Sequence, residues 1–388
     1  MNAETLALYV HWPFCVSKCP YCDFNSHVRT SLDQGKWREA LLTDLVHEMR
    51  LLPGRRLSSI FFGGGTPSLM DPATVEAVIT AARTNWTAAD DIEVTLEANP
   101  NSVEAACFAD LAKAGVNRIS LGLQSFDDKA LRFLGRAHSA REGFAALENA
   151  QKHFRRLSFD LIYALPGDTE ASWSATLGQA LSLGTRHLSL YQLTIEPGTR
   201  FASMVARREF EPLDADSSAA LYELTDAMTS GSGIPAYEIS NYARAGQESR
   251  HNLTYWRYGD YAGIGPGAHG RRLDRRTIRH KKPENFLSGL ARNGHGIAEE
   301  AVLSAVEAAD EALIMGLRLR EGIDALSIAK RFGLTNVVDF RRVDRLVGSG
   351  HLTRDQARIA PTARGRLVLD YILGEIALAD EPRALAVA

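Results

Sequence analysis

The stretch YVHWPFCVSKCPYCDFN, residues 9–25, carries three of the four cysteines of this chain. Their spacing is Cys-x3-Cys-x2-Cys, at Cys15, Cys19 and Cys22. Thiolates are soft ligands that select iron–sulfur clusters, zinc or copper(I), and a four-iron cluster usually takes four cysteines. Three cysteines would leave one iron without a protein ligand, as catalytic metal sites leave one position open for a small molecule. The spacing therefore favours an iron–sulfur cluster with an open iron.

Two other interpretations of these cysteines stay open on the spacing alone. A structural zinc site needs a fourth ligand, which His11 or His27 could supply, whereas a redox pair would usually lack the third thiol. Clustered thiols are not the pattern of a disulfide framework, and they indicate an intracellular protein with metal or redox chemistry. The fourth cysteine, Cys107, lies in a segment of helical pattern and is expected to be a small buried residue.

Around this stretch, short β-rich segments alternate with segments of helical periodicity. Strands are expected at residues 6–11, 59–62, 92–97, 118–123, 158–163 and 187–192, and helices at 36–52, 72–84, 102–114, 140–154 and 170–183. Several of these strands are nearly continuous apolar runs, as buried parallel strands are. Six βα units in succession predict an α/β fold with a curved parallel sheet, forming a partly or fully closed barrel.

Residues that could bind a metal or a ligand lie in, at the end of or just after the predicted strands. Cys15 follows the first strand, the glycines at 63–65 follow the second, and Glu97 ends the third. Gln124 follows the fourth strand, and Asp160 lies in the fifth. In parallel barrels the loops at the carboxyl ends of the strands form the functional site. We therefore expect these residues to lie close together.

Composition limits the partners and the location of the protein. The chain has 388 residues and a formal net charge of −3, so it has no general attraction to nucleic acid or to an anionic membrane. Its first residues lack the pattern of a secretory leader, and no apolar run reaches the roughly 18 residues of a transmembrane helix. The sequence predicts a soluble, cytoplasmic protein without a membrane-spanning segment.

The character of the sequence changes twice along the chain. The expected segments are a core barrel at 1–230, a loop-rich extension at 231–300 and a small, mainly helical, winged-helix-like domain at 301–380. A DNA-binding unit of that kind needs a basic recognition helix, but Arg341 and Arg342 alternate with Asp339 and Asp344. No nucleic-acid partner is expected.

The order of these motifs resembles the radical SAM superfamily, whose signature is this three-cysteine spacing. The segments LYVHWPFC, FFGGGTPSLM, EANP, LGLQSF, LGRAHS and DLIYALPGDT occur in the same order as in the branch of the oxygen-independent coproporphyrinogen III oxidases and the heme chaperones related to them. The resemblance covers nearly the whole chain. It implies a partial (β/α)6 radical SAM barrel with a [4Fe-4S] cluster, held by the three cysteines, and S-adenosyl-L-methionine (SAM) as cofactors. The implied SAM contacts are Tyr9, Gly64, Gly65, Thr66, Glu97, Gln124, Arg136 and Asp160.

The resemblance leaves a choice between a heme chaperone and an oxidase that converts coproporphyrinogen III to protoporphyrinogen IX. Phe24 stands where the oxidases have a fourth cysteine. Fourteen residues precede Cys15, whereas the oxidases carry a longer N-terminal segment. The segment HNLTYW matches a His-Asn-x-x-Tyr-Trp motif of the chaperones. This match implies heme binding by His251, Asn252, Tyr255 and Trp256.

We therefore expect a chaperone that binds a [4Fe-4S] cluster, SAM and heme and delivers heme to respiratory proteins. Neutral imidazole is a common axial ligand of heme iron, so His251 is the expected ligand, and Arg250 and Arg257 could pair with the heme propionates. An electron donor for the cluster is a further expected partner. The oxidase is the alternative, and a methyltransferase or heme-degrading enzyme of the same branch stays open, as does the question whether the chain is an enzyme.

Overall fold

The computed structural model describes residues 5–29 and 31–378. The strands are β1 (Thr5–Trp12), β2 (Phe14–Cys15), β3 (His27–Val28), β4 (Arg56–Gly64), β5 (Thr87–Ala98), β6 (Arg118–Gln124), β7 (Arg156–Tyr163), β8 (His187–Gln192), β9 (Asn241–Ala243), β10 (Asp260–Ile264), β11 (His269–Arg272), β12 (Arg275–Arg279), β13 (Ile297–Val302), β14 (Ile323–Asp324), β15 (Leu352–Asp355) and β16 (Arg358–Pro361). The helices are α1 (Gln34–Leu51), α2 (Pro72–Asn85), α3 (Ser102–Ala106), α4 (Phe108–Lys113), α5 (Asp128–Phe133), α6 (Ala140–His153), α7 (Glu170–Ser182), α8 (Arg200–Ala206), α9 (Ala215–Gly231), α10 (Arg250–Trp256), α11 (Pro283–Asn293), α12 (Ala305–Gly316), α13 (Ala325–Arg331), α14 (Phe340–Gly348), α15 (Ala363–Arg366) and α16 (Leu369–Ile376).

One mixed sheet contains eleven of the strands, in the order β13-β12-β11-β10-β1-β4-β5-β6-β7-β8-β9. The six strands predicted from sequence are β1 and β4 to β8, which are parallel neighbours in chain order. Each βα unit therefore adds its strand beside the previous one. In the described residues β9 and β13 are the two edges, so the sheet is an open, partial (β/α)6 barrel. The predicted fold class is confirmed.

Local sequence signals explain where several helices begin. The Asp33 side chain accepts a hydrogen bond from a backbone N–H at the start of α1, and Ser139 and Glu142 form a reciprocal capping box at α6. Pro72 is the first residue of α2, where a missing N–H costs little. The third predicted helix is divided into α3 and α4 at Cys107, which is half-buried and not fully buried as expected.

The segment 231–300 has more regular structure than its sequence predicted. It contains α10, α11 and the strands β9 to β13. Strand β10 lies parallel to β1, and β11, β12 and β13 continue the sheet as antiparallel neighbours. The description of this segment as loop-rich is therefore corrected. Its strands were missed because Arg271, Arg272 and Arg279 are buried in them, which hides the apolar pattern of a strand. The division of the chain at residues 230 and 300 stays a prediction.

A second, smaller core lies near the C-terminus. Helices α12, α13, α14 and α16 pack around the three-stranded sheet β14-β16-β15. Leu313, Val343, Ile359 and Ile372 are among its fully buried side chains. The order of helices and strands is that of a winged helix, in agreement with the sequence. No helix in the described ranges is long and apolar enough to cross a membrane.

A buried ion cluster joins α1 to the antiparallel part of the sheet. Arg279 donates hydrogen bonds to Asp44 at 3.1 Å and to Glu48 at 2.6 Å, and Arg272 donates to Glu48 at 2.6 Å. Burial by itself would raise the pKa of Glu48, but the charges of Arg279 and Arg272 outweigh it and hold that pKa below its ordinary value. The cluster therefore fixes β11 and β12 to the barrel.

Replacing one member of this cluster should destabilise the protein strongly. Glu48→Ala leaves two buried guanidiniums without their shared carboxylate, and we expect a loss of about 3–5 kcal/mol in the free energy of unfolding. Urea denaturation followed by circular dichroism measures this loss. Glu39→Ala, which removes an exposed carboxylate from the same helix, is the matched control and should change the unfolding free energy by about 0.5 kcal/mol at most. Equal effects of the two substitutions would contradict a stabilising role of the cluster.

Candidate functional site

A cavity of about 390 Å³ lies at the carboxyl ends of the parallel strands. Small-molecule sites typically have volumes of ~300–1,000 Å³. The loop after β1 and the ends of β4 to β8 contribute to its wall. Ten of the residues predicted from sequence line it: Cys15, Cys19, Cys22, Gly64, Gly65, Thr66, Glu97, Gln124, Arg136 and Asp160. The structure thus brings the cysteines and seven of the eight predicted SAM contacts to one place.

The three cysteines lie on one side of this cavity. Cys15 is buried, and Cys19 and Cys22 are half-buried. The Thr66 hydroxyl donates to the Cys15 sulfur at 3.5 Å, and an Arg136 N–H donates to the Cys19 sulfur at 3.4 Å. Burial raises the pKa values of the Cys15 and Cys22 thiols, so binding of a metal would release protons.

The surroundings of the cysteines fit an iron–sulfur cluster better than zinc. Both ring nitrogens of His11 are engaged, with the Tyr9 hydroxyl at 2.8 Å and the Asn25 carbonyl at 3.0 Å. The Nε2 of His27 lies 3.1 Å from the Lys281 carbonyl. The two histidines that could have completed a zinc site are therefore committed elsewhere. Three thiols that share a cavity with hydrogen-bond donors match the donor set of a [4Fe-4S] cluster with one open iron.

The glycines at the end of β4 allow close approach of two loops. Gly64 has φ of 115°, and a Cβ there would lie 2.6 Å from the His11 ring. A Cβ at Gly65 would lie 2.8 Å from the Phe14 carbonyl oxygen. Only glycine fits both positions, because any side chain would push the glycine loop away from the cysteine loop. The Gly64 N–H donates to the Glu97 carboxylate at 3.2 Å, which joins this loop to the end of β5.

Two carboxyl groups, of Glu97 and Asp160, line the same cavity as the cysteines. Burial, with a contribution from the charge of Asp160, raises the pKa of Glu97 to about 8. Burial also raises the pKa of Asp160 to about 6, although hydrogen bonds from Ser189 and Ser120 and the charge of Arg136 oppose the shift. Each carboxyl would gain from a ligand that donates hydrogen bonds or carries positive charge. The ammonium and ribose hydroxyls of SAM are such donors.

Arg136 connects the cysteine loop with the strand ends. Besides its contact with Cys19, it donates to the Asn99 side chain at 2.5 Å and to the Gly122 carbonyl at 3.0 Å. Gln124 has φ of 67°, which is unusual for a residue other than glycine, and the register of β6 against β7 is irregular there. Such irregularities are common where a strand redirects a side chain into a site.

Several residues of the cavity wall were not found from the sequence. Asn99, Ser120 and Tyr191 line the cavity, and the buried Glu104 accepts hydrogen bonds from the Asn99 backbone and from Ser68. Asn99 lies two residues after Glu97 in the same motif, Ser120 lies near the start of β6, and Tyr191 is the last residue but one of β8, for which no site residue was predicted. Extending the strand-end rule to β8 would have found Tyr191 but not Ser120, which is four residues from the end of β6.

Tyr9 and the segment HNLTYW are not part of the cavity wall. Tyr9 hydrogen-bonds His11 and does not line the cavity. The segment HNLTYW lies in α10, which packs against β1 and β4. His251 is 5% exposed, its Nδ1 lies 3.2 Å from the Ser59 hydroxyl, and its ring stacks on Phe61 with centroids 4.9 Å apart. The structure does not bring His251 to the cavity wall.

The other residues of this segment have partners inside the protein. The Asn252 amide donates to the Tyr237 hydroxyl at 3.4 Å, and the rings of Tyr255 and Trp256 are 4.6 Å apart. The flanking arginines are paired with carboxylates: Arg250 with Asp91 at 2.7 Å and Arg257 with Glu321 at 2.7 Å. Both ion pairs are partly exposed, so they contribute little stability, and an incoming carboxylate could replace either partner.

Comparison with known proteins identifies relatives along the whole chain. The family model of the radical SAM superfamily matches residues 9–180, and that of the HemN C-terminal domain matches residues 303–368. Radical S-adenosyl methionine domain-containing protein 1, mitochondrial, of Bos taurus is 38% identical over 390 residues, with 96% of this chain and 87% of the relative covered. Heme chaperone HemW of Escherichia coli (strain K12) is 37% identical over 382 residues, covering 97% and 98%. The structure of coproporphyrinogen III oxidase (HemN) from Escherichia coli matches with a TM-score of 0.82 and 24% identity, covering 98% of this chain and 92% of that chain, which shows a shared fold.

Anaerobic reconstitution should give a brown protein with about four irons per chain. Cys15→Ala, Cys19→Ala and Cys22→Ala should each abolish the cluster, because each thiolate binds one iron. Cys107→Ala, outside the cavity, is the control and should retain it. Iron analysis and the visible absorption spectrum measure the outcome. Stoichiometric zinc without iron in anaerobic preparations would show that the cysteines form a structural zinc site.

SAM binding should strengthen as the pH rises from about 6 to about 8. The pKa of Glu97 is about 8, so below that pH its carboxyl must lose a proton before it can accept hydrogen bonds from SAM. The affinity should rise by up to about tenfold per pH unit over this range and become constant above it. Glu97→Gln should weaken binding about tenfold at pH 8 and flatten this dependence. Asp160→Asn should weaken binding as well.

Calorimetry on the cluster-loaded protein measures these affinities, and the iron content shows whether each variant keeps its cluster. Glu170→Gln, which changes an exposed carboxylate on α7, is the matched control. Unchanged SAM affinity in both Glu97→Gln and Asp160→Asn would mean that neither carboxyl contacts SAM.

Proposed function

We propose that this protein is a heme chaperone that binds heme and delivers it to respiratory proteins. The chain belongs to the radical SAM superfamily and to its HemW branch. The observation that carries this proposal is the similarity to heme chaperone HemW of Escherichia coli over 97% of this chain and 98% of that protein. The segment HNLTYW adds support, because it matches the motif of the chaperones. An electron donor for the cluster and a cytoplasmic location are further parts of the proposal.

The residues of the cavity have distinct proposed roles toward the cofactors. Cys15, Cys19 and Cys22 would hold the [4Fe-4S] cluster, which supplies an open iron and an electron to bound SAM. Glu97 and Asp160 would accept hydrogen bonds from SAM, as their position in the wall of the same cavity allows. The remaining proposed contacts with SAM from the cavity wall are Gly64, Gly65, Thr66, Gln124 and Arg136. Tyr9, which hydrogen-bonds His11 outside the cavity wall, stays a proposed contact on the family resemblance alone.

The proposed heme ligand is His251, which is packed so closely that heme cannot reach it without a movement of the protein. Burial lowers the pKa of His251 to about 3, so its imidazole is neutral, which is the form that binds heme iron. The ring is covered by Phe61 and Tyr9, with ring centroids 4.9 Å and 6.1 Å from its own. Heme is much larger than the space around this ring, so coordination by His251 requires α10 to move away from β4.

The contacts of α10 suggest how such a movement is restrained. Glu93 accepts hydrogen bonds from the His251 N–H at 3.2 Å and the Ser249 hydroxyl at 3.5 Å, and it is paired with Arg156 and Arg118 at 3.0 and 3.4 Å. These contacts hold only the first turn of a helix of seven residues. The proposal therefore includes an open state in which α10 exposes His251, Asn252, Tyr255 and Trp256 to heme.

An oxygen-independent coproporphyrinogen III oxidase is the second candidate, favoured by the shared fold with HemN. At 24% identity this similarity concerns the fold, and one fold serves many reactions. The residue at the position of the oxidases' additional cysteine is Phe24, whose side chain is 61% exposed beside the cavity. An apolar side chain cannot perform the chemistry of a thiol there, which supports the chaperone over the oxidase.

Heme binding without porphyrinogen conversion is the expected result for this protein. His251→Ala should reduce heme affinity at least about tenfold, because an axial ligand is lost, while iron content and SAM binding stay unchanged. Titration with heme followed by the Soret band measures the affinity, and His153→Ala, an exposed histidine on α6, is the control.

Incubation with coproporphyrinogen III, SAM and a reductant, followed by product analysis, tests the alternative. Efficient formation of protoporphyrinogen IX would establish the oxidase and refute the chaperone proposal. Heme binding that is unchanged in His251→Ala would instead retain the chaperone and assign the iron ligand to another residue.

A further inference from the structure

A second cavity, of about 370 Å³, lies at the amino ends of the parallel strands, where β6, β7 and β8 begin. It is separate from the cofactor cavity, with which it shares no lining residue. Its polar lining is dominated by basic side chains and hydrogen-bond donors: Arg118, Arg155, Arg156, Arg186, Thr185 and Gln247. No carboxylate is among the lining residues in the part of the chain that the structure describes.

Two of the arginines form the inner wall and are held in place. Arg118 donates to the Gln247 carbonyl at 3.1 Å and to Glu93 at 3.4 Å. Arg156 donates to the Glu248 carbonyl at 2.9 Å and pairs with Glu93 at 3.0 Å. Glu93, Glu248 and Asp91 act on Arg156, and Asp91 is itself paired with Arg250. Because the Asp91–Arg250 pair has no net charge, the four lining arginines less Glu93 and Glu248 leave an excess of two positive charges at the cavity.

The other two arginines lie at the mouth. Arg155 and Arg186 are exposed, and within the described residues neither has an ion pair or a side-chain hydrogen bond. Like charges brought together without counterions repel each other, so the arrangement is unfavourable in the empty cavity. An anion between the inner and outer arginines would remove this repulsion.

Two buried donors in this cavity also lack partners. Thr185 is 6% exposed, and its hydroxyl has no hydrogen-bond partner among the described residues. The Nε–H of Arg156 is buried and equally without a partner there. Buried donors are almost always satisfied in native proteins, because leaving one unpaired is costly. Both donors belong to the lining of the basic cavity, so a ligand with several acceptor oxygens would satisfy them together.

We propose that this cavity binds the phosphate group of a small phosphorylated molecule. A phosphate group presents up to three terminal oxygens, each a strong acceptor, to donors that come from several directions. The guanidinium groups match these oxygens with pairs of parallel N–H donors, and a threonine hydroxyl supplies a single donor. A carboxylate has two oxygens and one charge, and it would leave part of this donor set and of the excess charge unsatisfied.

Titration calorimetry on the full chain at constant ionic strength tests the proposal, with inorganic phosphate, pyrophosphate and succinate as probes. Phosphate and pyrophosphate should bind, pyrophosphate more tightly, and succinate much more weakly. The double substitution Arg155→Ala/Arg186→Ala should weaken pyrophosphate binding at least about tenfold, because two charge-assisted contacts are lost. Arg83→Ala/Arg292→Ala removes two exposed arginines elsewhere and is the matched control.

Thr185→Val separates ligand binding from a structural role. Its hydroxyl has no partner in the protein, so the valine variant should be as stable as the unchanged chain, yet bind pyrophosphate about tenfold more weakly. Lack of phosphate and pyrophosphate binding at millimolar concentrations, or equal binding by the two double variants, would refute the site. Binding of succinate as tight as that of pyrophosphate would show that the cavity recognises carboxylates and would refute the phosphate assignment.

Discussion

Parallel pairing of β1 with β4, and of each following strand with the next, is the constraint on which the rest of this structure depends. Parallel strands need a crossover between them, so each passage through the sheet returns the chain to the same starting edge. The carboxyl ends of β1 and β4 to β8 therefore meet at one edge. Residues separated by more than a hundred positions, such as Cys19 and Arg136, come into contact there. The cofactor cavity is a consequence of this pairing.

Desolvation gives the cavity its chemical character. The same burial that keeps the thiols of Cys15 and Cys22 protonated also raises the pKa values of Glu97 and Asp160. Such protonated, desolvated groups are stabilised by ligands that displace their protons and supply positive charge or hydrogen-bond donors. Metal binding at the thiols and a SAM-like donor at the carboxyls would both stabilise these groups. The thiols and the carboxyls of the cavity therefore suit the two cofactors of the family.

Helix α10 packs against β1 and β4, and a buried carboxylate lies at its start. Glu93 accepts hydrogen bonds from the first turn of α10 and is paired with Arg118 and Arg156, which also line the basic cavity. The proposed anion site and the proposed heme ligand are joined through a single buried carboxylate.

The sequence by itself determined the fold class, the six core strands and the position of the cysteines and the glycine loop. These features rest on local patterns, namely apolar runs, helical periodicity and close spacing, which a single chain displays directly. The sequence did not reveal the strands of residues 231–300, because the buried Arg272 and Arg279 in them are neutralised by carboxylates of α1 far away in the chain. It also did not reveal that His251 lies beneath Phe61 and not at the cavity wall, or that four arginines from separate strands and loops surround one basic cavity. Only the tertiary structure decided these points, since burial and charge compensation depend on which distant residues the sheet brings together.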